Sequence, residues 1–270
     1  MIYFIIFMGL LIALVIVRVS LGNAKRVYSI EFGYSTTPGM RQLNADEMDW
    51  AYYGDETFFA IADGIGPGDK AATAAKVAVH IASRVFEQTG AAGNPAYFFL
   101  NCFKSANGII LRYIPDSTAG ASLLCAVAKN NLLYYALAGN CRISVYRSGE
   151  LYELSEGHTF DMLAKKAFTR MEITRADALE AVKEGRLYNF VGKDGFHDLE
   201  VFDTPVNLKR ADIILLMTDG VYEFCADGDI ADVLRRGGSC QKMAKNITDI
   251  IDKGAHPHQD NASIIVARVK

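Results

Sequence analysis

Between Val27 and Lys270 the chain alternates two kinds of hydrophobic pattern. Short apolar runs of strand length recur at 27–36, 48–55, 57–63, 122–129, 132–139, 141–147, 150–154, 212–219 and 263–269. Asn130-Asn131 and Ser148-Gly149 sit between neighbouring runs and predict two tight hairpins. Helical patterns fill the gaps. Residues 69–88 are rich in alanine and stop near Gly90. Residues 94–113 open on Asn94-Pro95, a capping residue followed by proline at the first helical position. Thr174 and Asp177 have capping-box spacing, and Gly185 suits the stop of that helix. Ser239 caps a last helix that ends near Gly254. Successive hairpins argue for antiparallel sheets, and helices grouped apart from them argue for class α+β. No linker, repeat or low-complexity stretch interrupts 27–270, which reads as one domain. Trp50, Tyr52 and Tyr53 are expected to pack between sheets, and the alanines of 69–88 to let a helix lie close on one.

The first residues follow neither pattern. Ile2 to Val17 are almost wholly apolar, and the run continues past Arg18 to Gly22. That is close to the roughly 20 residues of a spanning helix. No Lys or Arg precedes the run, as a cleaved secretory signal would require. Residues 1–22 are therefore expected to be a transmembrane anchor. Arg18, Lys25 and Arg26 all follow the run, which predicts a single-pass protein of the cell membrane with its large domain in the cytoplasm.

Composition adds exclusions. Hydrophobic residues make up 51% of the chain, the formal net charge is -3 and the pI is about 6.0. Nothing there suits a polyanion, so nucleic acid is not an expected partner. The five cysteines are scattered, with no Cys-x-x-Cys pair, and read as buried free thiols.

Candidate chemistry lies in four aspartates. Asp63 ends an apolar run and enters Gly64-Ile65-Gly66. Asp219 ends another and precedes Gly220. Asp260 stands just before the last strand, and Asp46 closes Arg41-Gln-Leu-Asn-Ala-Asp46. A carboxylate at the tip of a buried strand has a rigid base, and a neighbouring glycine lets a backbone carbonyl approach an ion. Magnesium and manganese favour such all-oxygen sets. A single Asp-Gly is more often only a turn. The force of the pattern lies in the set and its order. His158, His256 and His258 are expected to be supporting or solvated residues rather than ligands.

The stretches 41–46, 58–66, 120–142, 151–159, 212–223 and 259–269 resemble, in order and spacing, the metal-dependent serine/threonine phosphatases of the PPM family, type 2C. The resemblance implies a four-layer α-β-β-α sandwich. It implies metal ligation by Asp63, Gly64, Asp219 and Asp260, with two Mn2+ or Mg2+ ions. It makes Asp46 the carboxylate that holds metal-bound water and Arg41 the residue that grips substrate phosphate. The implied reaction is attack of a metal-bridging hydroxide on phosphoserine or phosphothreonine in a protein. A phosphoprotein substrate and a cognate kinase are the implied partners.

The chain departs from the family pattern in places. Ala45 stands where a glutamate is usual, and Pro67 interrupts a glycine-rich turn. Ile65 takes the place of a histidine found in some members. Asn140 replaces an aspartate of a weak third metal position. These departures keep a second reading open, a membrane-tethered pseudophosphatase that binds without turnover. A small-molecule phosphatase would differ only in the openness of the cleft.

Overall fold

The computed structural model describes residues 28–91, 93–114, 118–177, 186–196, 198–254 and 256–270. The expected anchor at 1–22 lies outside these residues, and no described helix is long and apolar enough to cross a membrane. Eleven described strands form two antiparallel sheets. One has the order β1 (Ile30–Thr37), β11 (Ala262–Val269), β10 (Ile213–Met217), β6 (Arg142–Arg147), β7 (Glu150–Glu153). The other runs β2 (Glu47–Tyr53), β3 (Glu56–Ile65), β4 (Gly120–Lys129), β5 (Leu132–Ala138), β8 (Glu200–Val201), with β9 (Val206–Asn207) also on β5.

Strand parity builds the layers. On β3, Phe59 and Ile61 face the other sheet and meet Leu124, Leu137, Ile143, Ile214, Leu216 and Ile265 in an inner core. Phe58, Ala60 and Ala62 face outward, against helices α1 (Gly68–Thr89) and α2 (Pro95–Tyr113). Ala71, Ala74, Ala75, Ala78 and Ala82 of α1 are all buried there. On the far side, Ile213, Leu215, Ile264 and Val266 pack on α4 (Asp219–Phe224), α5 (Asp227–Arg236) and α6 (Cys240–Gly254). Helix α3 (Phe160–Thr169) follows β7. The result is helix, sheet, sheet, helix, as expected.

Local signals account for the joins. Asn130 and Asn131 have φ of 50° and 63°, the left-handed pair that a two-residue hairpin needs. The Asn94 side chain accepts from Tyr97 N at the start of α2. Thr174 and Asp177 bond each other as a capping box, with Asp177 N donating to Thr174 Oγ1 at 3.3 Å, but the rest of the helix expected there lies outside the described residues. All five cysteines are buried and free.

One packing expectation needs correction. Trp50 does lie between the sheets, with its ring 5.3 Å from Phe32 and 4.8 Å from Tyr34. Tyr52 and Tyr53 are 61% and 41% exposed. They end an edge strand, β2, beyond the cover of the inner core, and Tyr53 leans toward Gly90 and Phe86 of the helix layer.

Candidate active site

The strands deliver the singled-out residues to one end of the sandwich. Parity points Asp63 of β3 to the inner side, just where the apolar core of Phe59 and Ile61 gives out. Asp46 immediately precedes β2, Asp219 opens α4 directly after β10, and Asp260 lies two residues before β11. Arg41 follows the turn after β1, and Asn140 follows β5. Arg41, Asp63, Gly64, Asn140, Asp219 and Asp260 line one cleft of about 620 Å³.

Two glycines allow the close approach. A Cβ on Gly64 would stand 2.4 Å from the Ala71 carbonyl oxygen of α1, and one on Gly220 would stand 2.0 Å from that of Asn261. Both aspartate turns are thus clamped backbone to backbone. Around them runs a hydrogen-bond frame. The buried Thr218 hydroxyl donates to Asp46 Oδ2 at 2.8 Å and accepts from Ser263 N at 2.9 Å. The Asn261 side chain accepts from Ala45 N and donates to the carbonyls of Pro38 and Leu43. Tyr222 donates to the Asn140 carbonyl at 2.8 Å, and Asn140 N donates to the Ser122 hydroxyl at 2.9 Å. Sequence reading missed Thr218, Asn261, Tyr222 and Ser122. Only Thr218, a hydroxyl before Asp-Gly at a strand end, left a signal.

The charges at this mouth oppose one another. Burial pushes the Asp46 carboxyl up to about 7, and the charges of Asp219 and Asp260 add to the rise. Burial and then the charges of Asp219, Asp46 and Asp260 hold Asp63 well above the usual carboxylate range. Burial raises Asp219 as well, against the hydrogen bond from Asn140. Two buried acceptor oxygens, Asp46 Oδ1 and Asn140 Oδ1, have no hydrogen-bond partner. An all-oxygen cluster with crowded negative charge and orphaned acceptors fits a hard divalent cation.

Among the described residues, no three acidic, histidine or cysteine side chains already stand as a coordination sphere. Cationic and amide groups of the chain occupy the carboxylates instead. Arg41 takes both oxygens of Asp260, Nε to Oδ1 at 2.9 Å and Nη2 to Oδ2 at 2.6 Å. Asn140 Nδ2 donates to Asp219 Oδ2 at 2.9 Å.

The histidines play other parts. His158 is buried and accepts from Gly139 N through Nδ1 at 3.2 Å, supporting the turn that carries Asn140. His256 and His258 are exposed.

No family model and no curated protein matches the chain. Solved structures do. The chain is similar to the S. agalactiae serine/threonine phosphatase, with 17% identity and a TM-score of 0.79 over 90% of this chain and 100% of that one. It is similar to the Mycobacterium tuberculosis serine/threonine phosphatase PstP/Ppp, at 19% identity and a TM-score of 0.73 over 90% and 100% of the two chains. A catalytic domain of PstP in complex with two manganese ions, 20% identical, matches with a TM-score of 0.71 over 90% and 99%. PppA, a regulatory component of the type VI secretion system in Pseudomonas aeruginosa, matches at 20% identity and a TM-score of 0.72 over 89% and 98%. The two stacked sheets, their helix layers and the aspartates at one mouth are thus set on the fold of the PPM-type serine/threonine phosphatases.

Proposed function

We propose that this chain is a metal-dependent phosphatase acting on phosphoserine and phosphothreonine in proteins, held at the cytoplasmic face of the cell membrane by residues 1–22. The observation that carries this reading is the convergence of Asp63, Asp219 and Asp260 on one cleft mouth beside Arg41, with Asp46 buried next to Asp63 and orphaned acceptors on Asp46 and Asn140. Asp63, Asp219 and Asp260, with the Gly64 carbonyl, would hold two divalent ions, Mn2+ or Mg2+, and Asn140 would be the weak third position. Bound ions supply Lewis-acid polarisation of the phosphoryl oxygens and a water that ionises near neutral pH.

The remaining work falls to the chain. Asp46, fixed through Oδ2 by Thr218, has no partner on its buried Oδ1, which would accept a hydrogen bond from a water held at the site and so orient it. Arg41 stands at the rim, 59% exposed, with a planar fork suited to two phosphoryl oxygens. With Asp260 engaged by an ion, that fork would be free to take substrate. No nucleophilic side chain is required, and the buried cysteines are unfit for the task, since burial pushes Cys125 and Cys141 far up. A phosphoprotein is the substrate and a membrane-proximal Ser/Thr kinase the natural counterpart.

A second reading has its own support. Asn140 and Arg41 already satisfy Asp219 and Asp260, and Ala45 supplies no carboxylate. A binding-only pseudophosphatase would look the same. Hydrolysis of p-nitrophenyl phosphate with manganese or with chelator, beside Asp219→Ala, separates the two. Manganese-dependent turnover lost in the variant supports the enzyme. No turnover from folded protein across a manganese titration supports the binding module.

A further inference from the structure

The two ends of the sandwich differ in chemistry, and the chain enters at the end opposite the aspartates. β1 begins at Ile30, paired with Val269, and finishes at Thr37, paired with Ala262 beside the cleft. The far pole gathers the residue 28–30 entry, the Tyr52–Thr57 turn, the Asn130-Asn131 hairpin and Leu208 around one small groove of about 250 Å³. Tyr28 N donates to Asn131 Oδ1 at 2.8 Å and fixes the entry point there.

Reach sets how far this pole stands from the apolar segment. Six residue steps separate Gly22 from Tyr28, at most about 20 Å even when fully extended. The eight residues of β1 then carry the chain about 25 Å to the cleft mouth.

The surface at this pole suits a lipid headgroup layer. Three of its acids are paired, Glu56 with Lys129 at 2.7 Å, Asp212 with Arg147 at 2.6 Å and Glu31 with Lys270 at 3.1 Å, while Asp55 shares Lys129 at 3.7 Å and Glu150 accepts from the Tyr152 hydroxyl. The side chains of Lys209 and Arg210, on the exposed turn before β10, make no ion pair among the described residues, while Lys209 N donates to Asp212 Oδ2 at 2.6 Å. Tyr52 and Tyr53, the exposed pair on the end of β2, add amphipathic rings of the kind that settle at membrane interfaces.

We propose that this pole is a docking surface for anionic lipid headgroups, with Lys209, Arg210, Tyr52 and Tyr53 as its contacts. The proposal rests on the reading of residues 1–22 as an anchor. Docking holds the cleft facing away from the bilayer, about the length of β1 above it, and limits substrates to phosphosites presented at that height.

The full chain tests this in vesicles of phosphatidylglycerol and phosphatidylcholine that carry nitroxide-labelled headgroups. A fluorophore goes on Glu150→Cys, in the exposed hairpin at the far pole, or on Met40→Cys, exposed near the cleft. The native thiols are buried and do not compete. The expected result is strong quenching at position 150 and weak quenching at 40, in anionic vesicles only. Lys209→Gln with Arg210→Gln should lower the docked-to-undocked ratio about thirtyfold, from about 1 kcal/mol per basic residue at an anionic surface. Equal quenching at both positions, or none of this dependence on lipid charge, overturns the proposal. A chain that fails to float with vesicles overturns both the anchor and the docking. Manganese-dependent turnover of the same sample reports separately on catalysis.

Discussion

Arg41 and Asp260 are joined by two parallel hydrogen bonds, at 2.9 and 2.6 Å, across the mouth of the cleft. The residue suited to gripping phosphate is thus bound to a residue suited to gripping metal. On the proposed reading, an ion and the Arg41 fork would compete for Asp260.

Arg41→Ala should therefore bind manganese more tightly while turning over more slowly. The pair is half exposed, so its release is worth at most about 1 kcal/mol, or roughly fivefold in manganese affinity. Turnover should fall by about a hundredfold, the usual scale for removing one group that stabilises developing charge. Calorimetric titration and steady-state kinetics read the two effects. Weaker manganese binding in the variant would show that Arg41 assists the site instead of competing for it.

Asp63→Asn should stabilise the chelated protein while abolishing metal binding. Asp63 is desolvated among Asp219, Asp46 and Asp260, and removing one like charge from such a group is worth roughly 1–2 kcal/mol. Thermal melts in chelator should show a higher midpoint than wild type. Added manganese should raise the wild-type midpoint and leave the variant unmoved. A variant less stable than wild type in chelator would mean that Asp63 makes a structural bond as well.

Asn140→Asp should reverse that trade. It removes the amide that donates to Asp219 Oδ2 and places a further charge beside it. The chelated protein should melt lower, and half-saturation with manganese should fall several-fold as an oxygen donor regains its charge. Melting and titration curves of one preparation decide both points.

His158 gives the fold a pH dependence of its own. Burial lowers its pKa below the usual 6.5, against the nearby Asp198 charge. Between the lowered folded value and 6.5 the unfolded chain binds more protons, so stability rises with pH across that window. Acidification below about 6.5 should cost stability until the folded pKa is passed. Denaturant unfolding of chelated His158→Gln against wild type from pH 7.5 to 5 checks this. An unchanged slope would assign the acid sensitivity to other groups.

Much of the fold was legible because its signals are local. The Asn130-Asn131 turn, the Asn94 cap and the alternation along β3 each depend on a few adjacent residues. Helices α4 and α5 went unread. α4 is only six residues long and begins on Asp219 itself, so its first turn looks like the tail of β10. Tyr52 and Tyr53 were misplaced because alternation says which way a side chain points and not how far its strand overhangs. At the site, Arg41, Asp46, Asp63, Gly64, Asn140, Asp219 and Asp260 all reach one pole. Their frame was hidden: Thr218 bonds Asp46 across 172 positions, and Asn261 bonds Ala45 across 216. No periodicity carries a hydrogen bond of that span. Nor does composition tell that Arg41 would be found on Asp260.

The backbone clamps at Gly64 and Gly220, with the alanine seam of α1, bear on how such a chain can diverge. What they demand at each contact is the absence of a side chain, and smallness is a weak mark in a sequence. A lineage can exchange nearly every other residue, keep those few gaps and its aspartates, and hold the same three-dimensional register.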